Sequence, residues 1–239
     1  MRILITNDDG IYASGMLPLV KWAQTKGEVT VVAPKVEQSG KSHGIEIHQA
    51  FEAKPVELLP GVKAWAVDST PADCVRLAIL GFHEKFDLVI SGINRGLNIG
   101  RDIMYSGTVS AVFEAGNLDT KAMAVSTTPA YYDHAAEEMD KIWDYVMGRD
   151  LFSKNLMYNI NIPTGGSEEF RITRQGGNYY SDDFRAEENH MYFPCGKDVF
   201  APCGSKELDT DAVMVDKVIS VMPLTMDRTN LELFRELRK

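Results

Sequence analysis

Cysteine is scarce in this 239-residue chain: Cys74, Cys195 and Cys203 are an odd number and too few to staple a fold of this size. Such usage reads as reduced thiols in a cytoplasmic protein, not as a disulfide framework. Neither a C-x-x-C pair nor a suitably spaced histidine accompanies Cys195 and Cys203, which argues against a thiolate zinc site. Long apolar runs are missing too. Nothing approaches the ~20 apolar residues of a membrane span, and Asn7, Asp8 and Asp9 interrupt the opening segment before a signal-peptide core forms. Positive charge is in deficit, with 25 Lys and Arg against 34 Asp and Glu, a formal net charge of −9. A surface of that balance repels nucleic-acid polymers and anionic membranes. A small anionic substrate stays admissible, provided something cationic sits in its site.

What is there is a regular alternation. Arg2–Thr6 and Glu28–Pro34 are short β-branched runs flanking a helical pattern over Met16–Ala23, the spacing of a βαβ unit. Thr70-Pro71-Ala72-Asp73 supplies a cap, a proline in the first turn and an early acid, and so opens a helix through Leu80. A strand over Phe86–Ile90, a glycine-rich loop to Gly107, a helix over Thr108–Ala115, a strand over Ala122–Ser126, a helix capped by Asp133 and running to Met147, and a strand over Met157–Ile162 follow. This order predicts an α/β fold, a parallel sheet covered by helices on both faces, over residues 1–164. From Gly165 to Leu208 the chain turns polar and loses helical period, which predicts hairpins; Ala212–Val221 reads as a returning strand and Asn230–Leu237 as a charged amphipathic helix. Residues 165–239 are read as an extension of the core, not an independent domain.

Ligands of such sheets bind beyond the carboxyl ends of the strands. Three polar clusters fall there: Asn7-Asp8-Asp9-Gly10, Gln38-Ser39-Gly40 and Ser91-Gly92-Ile93-Asn94. Adjacent carboxylates repel unless compensated, and a divalent cation compensates both. Asp8, Asp9, Ser39 and Asn94 offer only oxygen atoms, a set suited to Mg²⁺, Mn²⁺ or Ca²⁺. The glycine-rich loop ends in Tyr105-Ser106-Gly107-Thr108 at a helix start, where free N–H groups, the helix dipole and two hydroxyls favour a phosphate. Gly40-Lys41-Ser42 is not a P-loop, because Lys35 stands where the earlier glycine belongs, and no G-x-G-x-x-G marks the first turn. His43 and His48 read as surface residues.

These stretches, with Ala33-Pro34, Thr70-Pro71-Ala72-Asp73-Cys74-Val75, Ser91-Gly92-Ile93-Asn94-Arg95-Gly96 and Tyr105-Ser106-Gly107-Thr108-Val109, resemble the successive motifs of the SurE survival-protein family from Met1 to about Ser126. The chain departs from that pattern at Ser69, at Lys217-Val218 and between Asp182 and Asn189. The resemblance implies a Rossmann-like fold with a β-hairpin extension and an exchanged C-terminal segment used for homodimers or homotetramers. It implies a metal-dependent 5′-nucleotidase, with possible 3′-nucleotidase or exopolyphosphatase activity. Its metal ligands fall on Asp8, Asp9, Ser39 and Asn94, and its phosphate-binding residues on Ser106, Gly107 and Thr108, with Asn98 nearby.

The expected chemistry is attack on phosphorus by a water activated by the cation, or by an aspartate directly, Asp8 being the better placed of the two acids for nucleophile or base. Two other classes use similar residues: a non-catalytic nucleotide-binding protein on the same fold, and a metal-dependent glycosyltransferase.

Overall fold

The computed structural model describes residues 1–238. Its strands are β1 (Arg2–Thr6), β2 (Glu28–Pro34), β3 (Ala53–Pro55), β4 (Lys63–Val67), β5 (Leu88–Arg95), β6 (Ala122–Thr127), β7 (Met157–Ile162), β8 (Phe170–Ile172), β9 (Tyr180–Ala186), β10 (Tyr192–Asp198) and β11 (Ile219–Pro223). Nine of them form one sheet in the order β3-β4-β2-β1-β5-β6-β7-β11-β8, while β9 and β10 pair as a separate antiparallel hairpin. From β4 to β7 every neighbouring pair is parallel. β11 runs antiparallel to β7, so the later part of the chain extends the same sheet. The mostly parallel, helix-covered sheet is the α/β architecture read from the alternation of elements.

The helices follow from their apolar spacing. α1 (Met16–Gln24) buries Met16, Leu19, Val20 and Ala23, the i, i+3, i+4, i+7 stripe of an amphipathic helix. With α4 (Met139–Gly148), which buries Met139, Ile142 and Val146, it covers the sheet face formed by Ile3, Ile5, Val31, Ile90, Met123 and Val125. The opposite face, with Leu4, Val32, Val89, Ala122 and Ala124, is covered by α2 (Pro71–Arg76) and α3 (Gly107–Asn117). Fully burying an Ile, Leu or Val contributes about 1.5–3 kcal/mol, so the central strand β1 is held from both sides. α5 (Asp209–Met214) and α6 (Leu231–Leu237) complete the set.

Several boundaries differ from the sequence reading. Ala212–Val221 is not one strand: its first part ends α5, Lys217 turns the chain at a positive φ of 55°, and only Ile219 onward joins the sheet. The Val213 and Val215 pattern misled because acids at Asp209 and Asp211 favour a first helical turn there. Asp133 does not cap α4, since Tyr132–Glu138 coils as 3-10 turns and α4 begins at Met139. α3 begins at Gly107 with Ser106 as its cap, accepting the Val109 N–H at 3.0 Å. β5 continues past Ile90 to Arg95, with a register irregularity between Ser91 and Asn94. Gly92 sits in that irregularity at φ 140°, and a Cβ there would lie 2.4 Å from the Val125 carbonyl oxygen. Only glycine fits, and the irregular step sets where Asn94 emerges.

Candidate active site

At the carboxyl end of β1, beside β5 and the start of α3, lies a cleft of about 190 Å³ lined by Asp8, Ser39, Gly40, Asn94, Arg95, Asn98, Asp102, Tyr105 and Ser106. Five residues nominated from sequence, Asp8, Ser39, Asn94, Asn98 and Ser106, therefore face one space. Asp9, Gly107 and Thr108 adjoin it without lining it.

Asp8 is 4% exposed. Its Oδ1 accepts the Thr108 hydroxyl, and a Cβ on Gly107 would lie 2.9 Å from its Cβ and 3.1 Å from its Oδ2. The carboxylate thus rests on the N-terminus of α3, and the missing side chain at Gly107 makes room for it. Burial pushes its pKa up to about 6 and the charge of Asp9 adds to the rise, while the Thr108 hydroxyl pulls the other way. Asp9 is also raised, first by burial and then by Glu37, against a hydrogen bond from the Arg95 N–H at 3.1 Å. Two neighbouring carboxylates whose ionised forms are both disfavoured are the arrangement a cation relieves.

Asn94 donates its Nδ2 to the Gly96 carbonyl at 2.8 Å, which leaves its Oδ1 for a cation. Ser39 is exposed, and its hydroxyl donates to Glu37 at 2.6 Å. Among the described residues no group of three or more His, Cys, Asp and Glu gathers. The donor set is therefore carboxylate, hydroxyl and amide oxygen, which fits a hard divalent ion and not one that needs imidazole or thiolate. Asn98 is fixed from below: its N–H donates to Asn161 Oδ1 at 2.9 Å, its carbonyl accepts from Asn159 and Asn161, and its own amide donates to Ser126 at 2.8 Å. Asp102 accepts the Tyr180 N–H at 3.0 Å, which ties the base of the β9–β10 hairpin to the rim.

The family model described as survival protein SurE matches residues 3–182. The chain belongs to the SurE family. It is 38% identical over 251 residues to the 5′-nucleotidase SurE of Alkaliphilus metalliredigens (strain QYMF), covering 100% of this chain and 98% of that one. A 5′-nucleotidase SurE of Thermoanaerobacter sp. (strain X514) is 39% identical over 241 residues, covering 96% and 94%. The crystal structure of the SurE protein from Aquifex aeolicus superimposes with a TM-score of 0.81 at 29% identity, covering 100% of this chain and 98% of that chain. The hairpin and the late strand of this SurE chain thus fall within a likeness that spans its whole length.

Sequence reasoning missed two features of the site. Arg95 is the one basic side chain lining the cleft among the described residues, the local cation that a net charge of −9 demanded. Its signal was its place directly after Asn94 in a strand-end motif. His43 is not a free surface residue: its Nε2 lies 2.8 Å from Glu114 Oε2, and its ring stacks on Phe113. His48, by contrast, is exposed.

Proposed function

We propose that the chain hydrolyses nucleoside 5′-monophosphates to nucleoside and phosphate at this cleft, as the name 5′-nucleotidase SurE says of its relatives. The observation that carries this reading is the convergence of Asp8, Ser39 and Asn94 with Asn98 and Ser106 in one cleft. Asp8, Asp9, Ser39 and Asn94 would hold one divalent ion, Mg²⁺ or Mn²⁺, which supplies a Lewis acid for a phosphoryl oxygen.

The remaining steps belong to the chain. Arg95 and the α3 N-terminus attract the phosphate dianion that the rest of the surface repels. The Ser106 hydroxyl and the Asn98 amide bind oxygens of the group in transfer, with Gly107 and Thr108 behind them keeping Asp8 in place. Water attacks phosphorus while Asp8 takes its proton, the bond from phosphorus to the ribose oxygen breaks, and that oxygen takes up a proton from solvent to leave as the nucleoside hydroxyl. Direct attack by Asp8 is the competing route, and a rapid quench separates the two: trapped phosphorylated protein supports attack by Asp8, solvent oxygen in the phosphate of a single turnover supports water.

The test is phosphate release from a panel of nucleoside 5′- and 3′-monophosphates and short polyphosphate, with Mg²⁺ or Mn²⁺, with and without chelator. Release that the chelator abolishes supports the reading; no release with any divalent ion refutes it. Nucleotide binding without turnover would instead favour a binding protein on the same fold. We further propose a homodimer or homotetramer built through residues 165–239, with residues 1–164 carrying the catalytic groups. The three free cysteines suit a cytoplasmic setting, and no helix among the described residues is long and apolar enough to cross a membrane.

A further inference from the structure

Ser39 is carried by a long connection between β2 and β3 that has neither helix nor strand from Lys35 to Ala50. In that stretch only Gln38, Ser42 and His43 are not exposed, and the aliphatic side chains Val36, Ile45 and Ile47 are 54%, 39% and 70% exposed. Apolar burial therefore does not fix this loop, and an exposed segment without such contacts samples many conformations. What holds it is a short set of polar tethers. The Gln38 N–H donates to the Asp8 carbonyl at 2.7 Å and the Ser42 N–H to that of Tyr105 at 3.1 Å. The Ser42 hydroxyl donates to the Met104 carbonyl at 2.7 Å, and the Glu46 N–H to Asp73 Oδ2 at 2.8 Å.

One tether differs in kind. His43 Nε2 meets a Glu114 carboxylate that is only 5% exposed, and the other Glu114 oxygen accepts Arg76 Nη1 at 3.2 Å. A buried carboxylate deprived of a partner is costly, so this contact resists opening more than an exposed hydrogen bond does. Glu114 stands on α3, six residues beyond Thr108, which grips Asp8. One rigid helix thus holds Asp8 at its first turn and the Ser39 loop at its third.

We propose that Glu114 and His43 form a latch that positions Ser39 against Asp8, so that both are positioning residues for the divalent ion. The proposal rests on the assignment of Ser39 as a metal donor and does not require nucleotide turnover. Its measurement is Mn²⁺ binding without nucleotide, followed through the paramagnetic resonance of free Mn²⁺, alongside thermal unfolding by circular dichroism. His43→Phe keeps a ring against Phe113 and removes the hydrogen bond; it should weaken Mn²⁺ binding about tenfold while the chain stays folded, with a melting temperature lowered only by the loss of one of the two Glu114 partners. His43→Gln, whose amide N–H reaches Glu114, should recover most of that loss.

Glu114→Gln, which weakens the contact without emptying its space, should fall between the two; should it fail to fold, the His43 pair decides alone. Mn²⁺ affinity within twofold of wild type in His43→Phe overturns the latch, as does a His43→Gln variant that loses as much as His43→Phe. A wild-type chain that binds Mn²⁺ but hydrolyses no nucleotide with any divalent ion refutes the nucleotidase reading and leaves the latch intact; one that binds no Mn²⁺ overturns the latch, while phosphate release with Mg²⁺ still decides the nucleotidase reading.

Discussion

Asp8 and Ser39 face the same cleft from opposite kinds of structure. Asp8 lies two residues beyond the end of β1, an interior strand of the sheet, 4% exposed, with α3 against its back. Ser39 rides an exposed loop held by backbone hydrogen bonds and the contact of His43 with the buried Glu114 carboxylate. The first is placed by close packing, in which a shift of one methyl group is felt. The second is placed by a few directional contacts that can be lost without disturbing the core. The two halves of the site should therefore fail differently: changes in the packing behind Asp8 couple activity to stability, whereas changes near Ser39 separate them.

The largest effect expected is that of Asp8→Asn. The neutral amide still accepts the Thr108 hydroxyl and no longer bears a charge that burial disfavours. Turnover should fall by about 10²–10⁴-fold while the melting temperature of the metal-free protein stays at or above that of wild type. Steady-state kinetics beside calorimetry checks both halves, and near-normal turnover would remove Asp8 from the chemistry.

Gly107→Ala comes next. The added Cβ would meet the Asp8 side chain at 2.9 Å, tighter than unstrained contacts allow, so helix or carboxylate must move. Overpacking of this kind costs about 1–3 kcal/mol, and a displacement near 1 Å costs about 10²-fold in rate. A denaturant melt together with kcat/KM reads both, and loss of stability without loss of rate would show that the helix, not Asp8, gave way. On the other half of the cleft, Ser39→Ala should lower activity while stability stays within about 0.5 kcal/mol of wild type. An unfolding midpoint that shifts as much for Ser39→Ala as for Gly107→Ala would break the contrast.

The same contrast separates what the sequence could tell from what it could not. β1, β2, β6 and β7 were readable because buried parallel strands are compact apolar runs, and the Asp8, Asn94 and Ser106 clusters because they interrupt such runs at strand ends. β3 was not, since three residues at a sheet edge carry little pattern, nor was β4, whose run opens on the exposed Lys63 and is divided by the half-buried Trp65. α5 was hidden by β-branched residues that happen to lie in a helix. The His43–Glu114 pair joins residues 71 positions apart, one in a loop and one in a helix that reads as plain apolar packing. Nothing local in either segment marks the other, because the tertiary fold alone brings them together.

Thr108→Val tests how far packing alone holds Asp8. The change conserves volume and removes the hydroxyl that donates to Asp8 Oδ1. A hydrogen bond to a charged group contributes about 1.5–3 kcal/mol, all of it on the carboxylate side of the cleft. The ionised form of Asp8 should be disfavoured further, so the variant should need more Mn²⁺ for half-maximal activity. Metal titration of phosphate release measures this. An unchanged requirement would mean that the Gly107 contact suffices.

The smallest effect on the folded core is expected at the hairpin, the region least like Asp8. Phe184 and Phe193 are 65% and 53% exposed on β9 and β10, large apolar rings that a lone chain leaves in water. Their partner strands pair with each other and not with the main sheet, so replacing both by serine should change unfolding free energy by less than about 0.5 kcal/mol per site. If residues 165–239 build the proposed oligomer through this surface, sedimentation velocity should show the double variant shifting to a smaller species at equal concentration. An unchanged sedimentation coefficient would move the interface elsewhere. Activity supplies the finer reading, because Asp102 lines the cleft and holds the Tyr180 N–H at the hairpin base. A variant that dissociates yet keeps full turnover would show that the chain's own ties at the hairpin base, this one and the Arg101 N–H to the Gly177 carbonyl among them, and not a neighbouring copy, keep the rim in shape.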